Sequence, residues 1–175
     1  MNDSWQENAR IMLINAVPLL ATILLMFLFY MPIHMSQTNF FRPTIGVICV
    51  YYWTIRKKDS FGYFAAFCVG FLTDIYSSSP LGTNVLMMMF FVFVLHRLSK
   101  LLYALSFCWS WVSFIFIGLA FILLKWLLLS LYHQSFLSLT EVLLNFISTV
   151  MFYPLIVSVN VWLQNKFLPQ EGINE

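Results

Sequence analysis

The residue best placed to do chemistry is Asp74, in the stretch GFLTDIYSSSPLGTN at residues 70–84. It follows a strongly apolar run, and a carboxylate at the centre of a membrane helix costs about 2.5–3.5 kcal/mol even on insertion scales. An acid kept there serves either as a proton or substrate site or as a structural contact. We favour the structural interpretation, because a polar, proline-containing turn follows Asp74 directly.

Other chemically capable residues are scattered rather than clustered. His34, His96 and His133 stand at loop edges, and the sequence lacks HExxH, GxSxG, P-loop and dinucleotide-binding patterns. The three cysteines are far apart and lie within apolar runs, which indicates packing rather than disulfides or metal binding. No enzyme activity, metal or cofactor is therefore predicted, and an intramembrane enzyme is the weakest of three hypotheses.

The elements that must position Asp74 are membrane helices. The chain has 175 residues, of which 61% are hydrophobic and 9% charged, whereas soluble domains carry about 25% charged residues. This composition predicts a single integral membrane domain over residues 1–175. The net charge of +2, without a basic patch, argues against nucleic acid as a partner.

Hydropathy predicts an all-α, polytopic bundle of six transmembrane helices. Their approximate ranges are 11–33, 42–55, 60–76, 81–95, 101–124 and 140–163. The second is short, so it is tilted, thins the bilayer or extends into 39–41. Residues 126–139 are read either as a connection or as an interfacial helix on the outer surface.

The positions of the basic residues predict that both termini are cytoplasmic. In that orientation seven of the nine lysine and arginine residues lie inside, and only Arg42 and Lys125 lie outside. The inside set is Arg10, Arg56, Lys57, Lys58, Arg97, Lys100 and Lys166.

Asp74 is predicted to hold the outer ends of the second, third and fourth helices together. It lies about 21 Å along the third helix, counted from Ser60 at 1.5 Å per residue. The series Gly62, Ala66, Gly70 predicts a small-residue packing seam that ends at Asp74. An acid near a helix C-terminus needs a partner. We favour Arg42, and the alternatives are backbone N–H groups or the hydroxyls of Ser77–Ser79.

Two stretches resemble the rod shape-determining MreD family: RPTIGVICVYYW (42–53) and FGYFAAFCVGFLTDIYSSSPLGTNVL (61–86). The family pattern has a proline opening the second helix, an aromatic pair near its end, a glycine, a phenylalanine, G-x-x-x-D, a polar turn and L-G-x-x-x-L. With neighbouring residues of the turn and helix starts, the predicted structural or interaction residues are Arg42, Pro43, Tyr52, Trp53, Gly62, Phe67, Gly70, Asp74, Pro80, Leu81, Gly82 and Asn84.

The resemblance implies a non-enzymatic, multi-pass scaffold in the bacterial inner membrane. Its implied partners are MreC, bound directly through a transmembrane helix, the actin-like MreB, and RodA with its partner transpeptidase. The complex would support lateral peptidoglycan synthesis and rod shape, with the chain as a homo-oligomer or a hetero-oligomer with MreC. The resemblance also implies a fold similar to the substrate-binding subunits of energy-coupling-factor transporters.

That likeness leaves a second function open, a subunit binding a vitamin-like molecule for a membrane transporter. It predicts polar residues converging in the outer half of the bundle. The polar residues there are sparse: Asn39, Asn84, Glu141 and Asn145. We therefore favour the scaffold.

Overall fold

The computed structural model describes residues 16–29, 43–57, 61–77, 80–104, 106–134 and 139–167. These residues form six α-helices and contain no strand, which confirms the predicted all-α fold. The helices are α1 (Ala16–Phe29), α2 (Ile45–Arg56), α3 (Tyr63–Ser77), α4 (Thr83–Tyr103), α5 (Phe107–His133) and α6 (Leu139–Phe167).

Three of the helices are long and apolar enough to cross a membrane. These are α4, α5 and α6, whereas the described parts of α1, α2 and α3 are shorter apolar helices. At 1.5 Å per residue, the 12 residues of α2 extend about 18 Å and the 15 residues of α3 about 22 Å, less than a hydrocarbon core of about 30 Å. The chain is thus a helical membrane protein, and six complete spans remain a prediction.

The long helices continue past the ends expected from the sequence. The sequence predicts that the fourth helix ends at Leu95, whereas α4 runs through Arg97 to Tyr103. The Arg97 guanidinium lies 5.4 Å from the centre of the Phe93 ring. Lysine and arginine are good helix formers, so a charge alone does not end a helix. Likewise, residues 126–133 continue α5 instead of forming a separate interfacial helix, and α5 ends at the left-handed Gln134.

α2 is the central element of the bundle. Every residue from Ile45 to Ile55 is buried, and the helix packs against α3, α4 and α6. Its sequence is apolar on all sides, as expected for a helix without a solvent face. Pro43 lies two residues before the helix, and the N–H of the intervening Thr44 donates a 3.0 Å hydrogen bond to Thr149 Oγ1 on α6. Because neighbouring helices surround α2, its length need not match the thickness of the bilayer.

An aromatic and hydroxyl cluster joins α2 to α5 and α6. The Tyr51 ring meets the Phe114 ring edge-on at 5.2 Å, and Phe114 stacks on Tyr153 at 4.6 Å. The Tyr51 hydroxyl donates to the Ser110 carbonyl at 3.1 Å, and Ser110 Oγ lies 3.1 Å from the Tyr153 hydroxyl. Buried Tyr hydroxyls normally find partners of this kind. The cluster therefore fixes α5, which is otherwise the least buried of the three long helices.

Candidate functional site

Helices α3 and α4 approach each other closely at Gly70. A Cβ atom on Gly70 would stand 2.6 Å from Val85 Cα and 2.9 Å from the Asn84 carbonyl oxygen. These are backbone atoms, which cannot rotate away as a side chain can. Glycine is thus required for the two helices to meet at this distance.

Directly beyond this contact, the Asp74 carboxylate lies against the first turn of α4. Its Oδ2 accepts hydrogen bonds from the Gly82 N–H at 2.9 Å and the Val85 N–H at 3.4 Å. Its Oδ1 accepts from the Asn84 N–H at 3.0 Å and from Asn84 Nδ2 at 2.8 Å. Asp74 is only 1% exposed, so these four donors replace water around the buried charge.

The arrangement is a helix cap supplied by a neighbouring helix. The first N–H groups of an α-helix have no partner within the helix and carry a partial positive charge. Gly82, the residue before α4, has φ of 98° and no side chain that could cap, and the α3 carboxylate takes that role. A left-handed conformation of this kind favours glycine. Asp74 therefore joins the C-terminal end of α3 to the N-terminal end of α4.

Hydroxyl and amide groups of α3 and α4 extend the cap. Asn84 Nδ2 also donates to Ser77 Oγ at 3.2 Å, and Ser77 Oγ donates to the Thr73 carbonyl at 2.7 Å. Thr73 Oγ1 in turn donates to the Val69 carbonyl at 2.7 Å. The amide of Asn84 is consequently held in one orientation, with its donors towards α3.

The predicted site residues divide into those that the structure brings together and those that it separates. Gly70, Asp74, Gly82 and Asn84 form one cluster. Pro80 belongs to the turn that precedes α4, where its carbonyl accepts from the Thr83 N–H at 3.2 Å. Leu81 in the same turn is 76% exposed. We call this region, with the start of α2, the capped end of the bundle.

Tyr52 and Trp53 lie towards the opposite end. The Tyr52 hydroxyl donates to Gln164 Oε1 of α6 at 2.6 Å, and Trp53 is fully buried. Arg56 at the end of α2 lies over the Tyr103 ring, 5.6 Å from its centre, so the ends of α2, α4 and α6 are neighbours. We call this the basic end, because Arg56, Lys57, Arg97, Lys100 and Lys166 lie towards it.

Parts of the predicted seam differ from the structure. Gly62 precedes α3, and a Cβ there would meet nothing within 4 Å, so the close approach begins only further along α3. Phe67 is 47% exposed and stacks on Phe71 at 6.3 Å rather than on a neighbouring helix. Arg42, the favoured partner of Asp74, and two of the turn serines lie outside the described residues.

Sequence reasoning did not assign Lys125 to any site. Lys125 lines a cavity of about 190 Å³ together with Thr44, Trp126 and Asn145, and it interacts electrostatically with Asp74. Helical spacing could have identified Lys125. Phe114, Gly118 and Phe121 face the bundle interior, and Lys125 follows them on the same face of α5.

Chemically, the Asp74 cluster is suited to binding helices together. A carboxylate has about four lone-pair sites, and four N–H donors from Gly82, Asn84 and Val85 already point at them. Little capacity remains to accept a proton from a substrate. Among the residues that the structure describes, no group of three His, Cys, Asp or Glu side chains could hold a metal ion.

The chain matches a known protein family over most of its length. The family model described as rod shape-determining protein MreD matches residues 9–160, which is most of the chain. No curated protein and no solved structure matches the chain.

Proposed function

Because the chain belongs to the rod shape-determining protein MreD family, we propose that it is a non-enzymatic inner-membrane scaffold of the cell-elongation complex. Family membership gives it a role in rod shape determination. The proposal adds that it binds MreC directly and works with MreB, RodA and the partner transpeptidase during lateral peptidoglycan synthesis. The observation that carries it is the family match over residues 9–160.

The geometry of the Asp74 cluster supports a scaffold. The most polar cluster at the capped end is occupied by contacts within the chain, between α3 and α4. Such a device stabilises a fixed helix arrangement, which is what a protein needs if its exposed surface is to be recognised by a partner helix.

For the MreC contact we propose one face of α5. The exposed residues Trp109, Phe116, Ala120, Leu123 and Leu127 form a stripe along this helix, opposite the face that packs on α6. Helices associate in lipid by close van der Waals packing, and small residues such as Ala120 let a second backbone approach. α5 is the least buried of the long helices, so most of its surface is free for a partner or lipid.

The charge distribution supports the proposed orientation. Five of the six cations in the described part of the chain lie towards the basic end, and Lys125 alone lies towards the capped end. By the positive-inside rule, this distribution supports a cytoplasmic basic end, from which the MreB filament would be reached.

Co-purification with MreC tests the scaffold and its surface together. We expect the full-length chain, co-expressed with tagged MreC, to be recovered in a constant ratio. Ala120→Trp should reduce recovery severalfold, because the added ring obstructs packing along the α5 stripe. The matched control is Met151→Trp, at an exposed position on α6. Absence of co-purification would contradict the scaffold, and equal loss from both variants would contradict the choice of α5.

The transporter subunit remains as a second candidate because the capped end does contain a cavity. Its volume of about 190 Å³ is below the range of about 300–1,000 Å³ that is usual for small-molecule sites. A vitamin-like ligand is therefore too large for it as it stands. Purified protein that retains such a molecule and ignores MreC would favour this candidate over the scaffold.

A further inference from the structure

The cavity at the capped end combines one cation with an apolar wall. It lies between α5 and α6 beside the start of α2, and it is open to the surface. Its polar lining includes Thr44, Lys125 and Asn145, and its apolar lining includes Phe121, Ile122 and Leu129. This combination of a charged group and adjoining hydrocarbon matches the two parts of an amphiphile.

Lys125 has no ion pair or hydrogen bond with any residue in the described part of the chain. Asp74 attracts it, but that carboxylate is already bound by four N–H donors of Gly82, Asn84 and Val85. Glu141, the nearest acid along α6, is exposed and does not line the cavity. Residues 30–42, which precede Thr44, contain no Asp or Glu in their sequence.

A lysine in this setting is expected to pair with an anion from outside the chain. Placing an ammonium group within a membrane helix is costly unless it pairs or reaches water. Trp126 also lines the cavity, and tryptophan is typical of the headgroup level of a bilayer. The ammonium is thus expected at the depth where lipid phosphates lie.

We propose that this cavity binds the phosphate headgroup of an anionic amphiphile. The Lys125 ammonium pairs with a phosphate oxygen, and Asn145 and Thr44 contribute polar contacts around the headgroup. The first part of the hydrocarbon chain lies against Phe121 and Ile122, and the rest continues into the surrounding lipid. A volume of about 190 Å³ suits a headgroup rather than a whole lipid. This site is independent of the MreC contact proposed on the opposite face of α5.

Native mass spectrometry of the full-length chain in detergent tests the proposal with three probes: phosphatidylglycerol, phosphatidylcholine and inorganic phosphate. We expect the wild type to retain phosphatidylglycerol at least fivefold better than phosphatidylcholine. Lys125→Gln should reduce phosphatidylglycerol binding about tenfold, the factor that corresponds to loss of about 1.4 kcal/mol. Lys125→Arg should retain binding. Lys166→Gln, which removes a cation at the basic end, should leave binding unchanged.

A second variant keeps the charge and fills the space. Val142→Phe, on the α6 side of the cavity, should weaken phosphatidylglycerol binding severalfold while the protein remains monodisperse in gel filtration. This variant decides the matter if Lys125→Gln does not fold. Equal retention of both phospholipids, or unchanged binding in both variants, would overturn the proposal. Full displacement of phosphatidylglycerol by millimolar inorganic phosphate would also overturn it, because the site would then recognise a free anion.

Discussion

At the scale of single residues, the position of Asp74 is explained by where its charge is satisfied. Near the C-terminal end of α3, a carboxylate faces the negative end of that helix, which is unfavourable. The N-terminal, positive end of α4 lies within hydrogen-bond distance of the carboxylate, and its attraction outweighs the unfavourable effect of α3. Burial strengthens both effects, because no water screens them. The acid is therefore tolerated because two helix ends meet at it.

Asp74→Asn is expected to lower the free energy of unfolding by about 2 kcal/mol, within the range for hydrogen bonds to charged groups. The amide loses the negative charge, and its NH₂ group would face the N–H donors of α4. Thermal unfolding in detergent measures the change. Glu141→Gln, which removes an exposed acid from the first turn of α6, is the control and should cost less, about 0.3–1 kcal/mol. Normal assembly with a lost transport or catalytic activity would instead make Asp74 a functional acid.

Asn84→Ala should also destabilise the protein, by about 1–3 kcal/mol, because Asp74 Oδ1 and Ser77 Oγ each lose a donor. Its effect should not add to that of Asp74→Asn, since both changes remove the same bond. A double-mutant cycle on unfolding free energies checks this. Additive losses would show that Asn84 acts independently of the carboxylate.

The sequence predicts which residues belong to this site better than it predicts which groups hydrogen-bond to Asp74. The G-x-x-x-D spacing, the proline turn and the glycine before α4 all pointed to a fixed junction. The donors to Asp74 could not be chosen, because Arg42, backbone N–H groups and serine hydroxyls are all chemically suitable. That choice depends on how closely α4 approaches, which is a property of the packed helices.

At the scale of helices, Gly70 sets the distance between α3 and α4. Its missing side chain lets the α4 backbone come near enough for the Asp74 carboxylate to reach the Gly82 N–H. The close contact and the cap therefore depend on each other. A side chain at residue 70 would push α3 and α4 apart and would thereby also break the Asp74 cap.

Gly70→Ala is accordingly expected to destabilise the protein by about 1–3 kcal/mol, the usual cost of overpacking. The new Cβ would stand 2.6 Å from Val85 Cα, so α4 must shift. Gly62→Ala is the control, because a Cβ there meets nothing within 4 Å. Unfolding midpoints of the two variants in detergent provide the comparison. Equal midpoints would mean that α4 moves at no cost.

The existence and type of the helices followed from hydropathy, but their ends did not. The charges of Arg97 and Lys100 predict helix ends there. Their aliphatic stems, and for Arg97 the Phe93 ring, let them remain in α4 at a membrane surface. The short α2 had three explanations in the sequence. Only the structure adds that α3, α4 and α6 cover it, since non-local packing is invisible to a local pattern.

At the scale of the whole molecule, the two ends of the bundle differ in charge and in construction. The basic end gathers cations at the ends of α2, α4 and α6, and the capped end holds a buried carboxylate, a cavity and Lys125. This charge difference between the two ends favours one orientation of the molecule in the bilayer.

Cysteine labelling in intact cells tests the resulting orientation. In a background with the native cysteines replaced by alanine, Gln134→Cys should react with a membrane-impermeant maleimide from outside. Lys57→Cys should react only after the cells are permeabilised. The reverse pattern would show that the termini face the periplasm. Labelling of both sites in intact cells would contradict the odd number of spans, α3, α4 and α5, that the predicted topology puts between them.

The burial of α2 also has a consequence for how the protein is made. α2 is among the first helices to leave the ribosome, yet its Thr44 amide bonds Thr149 and its Tyr52 hydroxyl bonds Gln164, more than a hundred residues later. A 12-residue segment cannot rest stably in lipid alone. During synthesis, α2 must therefore be kept out of direct contact with lipid until α6 is made and can cover it. A chain truncated before α6 would then be a substrate for membrane quality control.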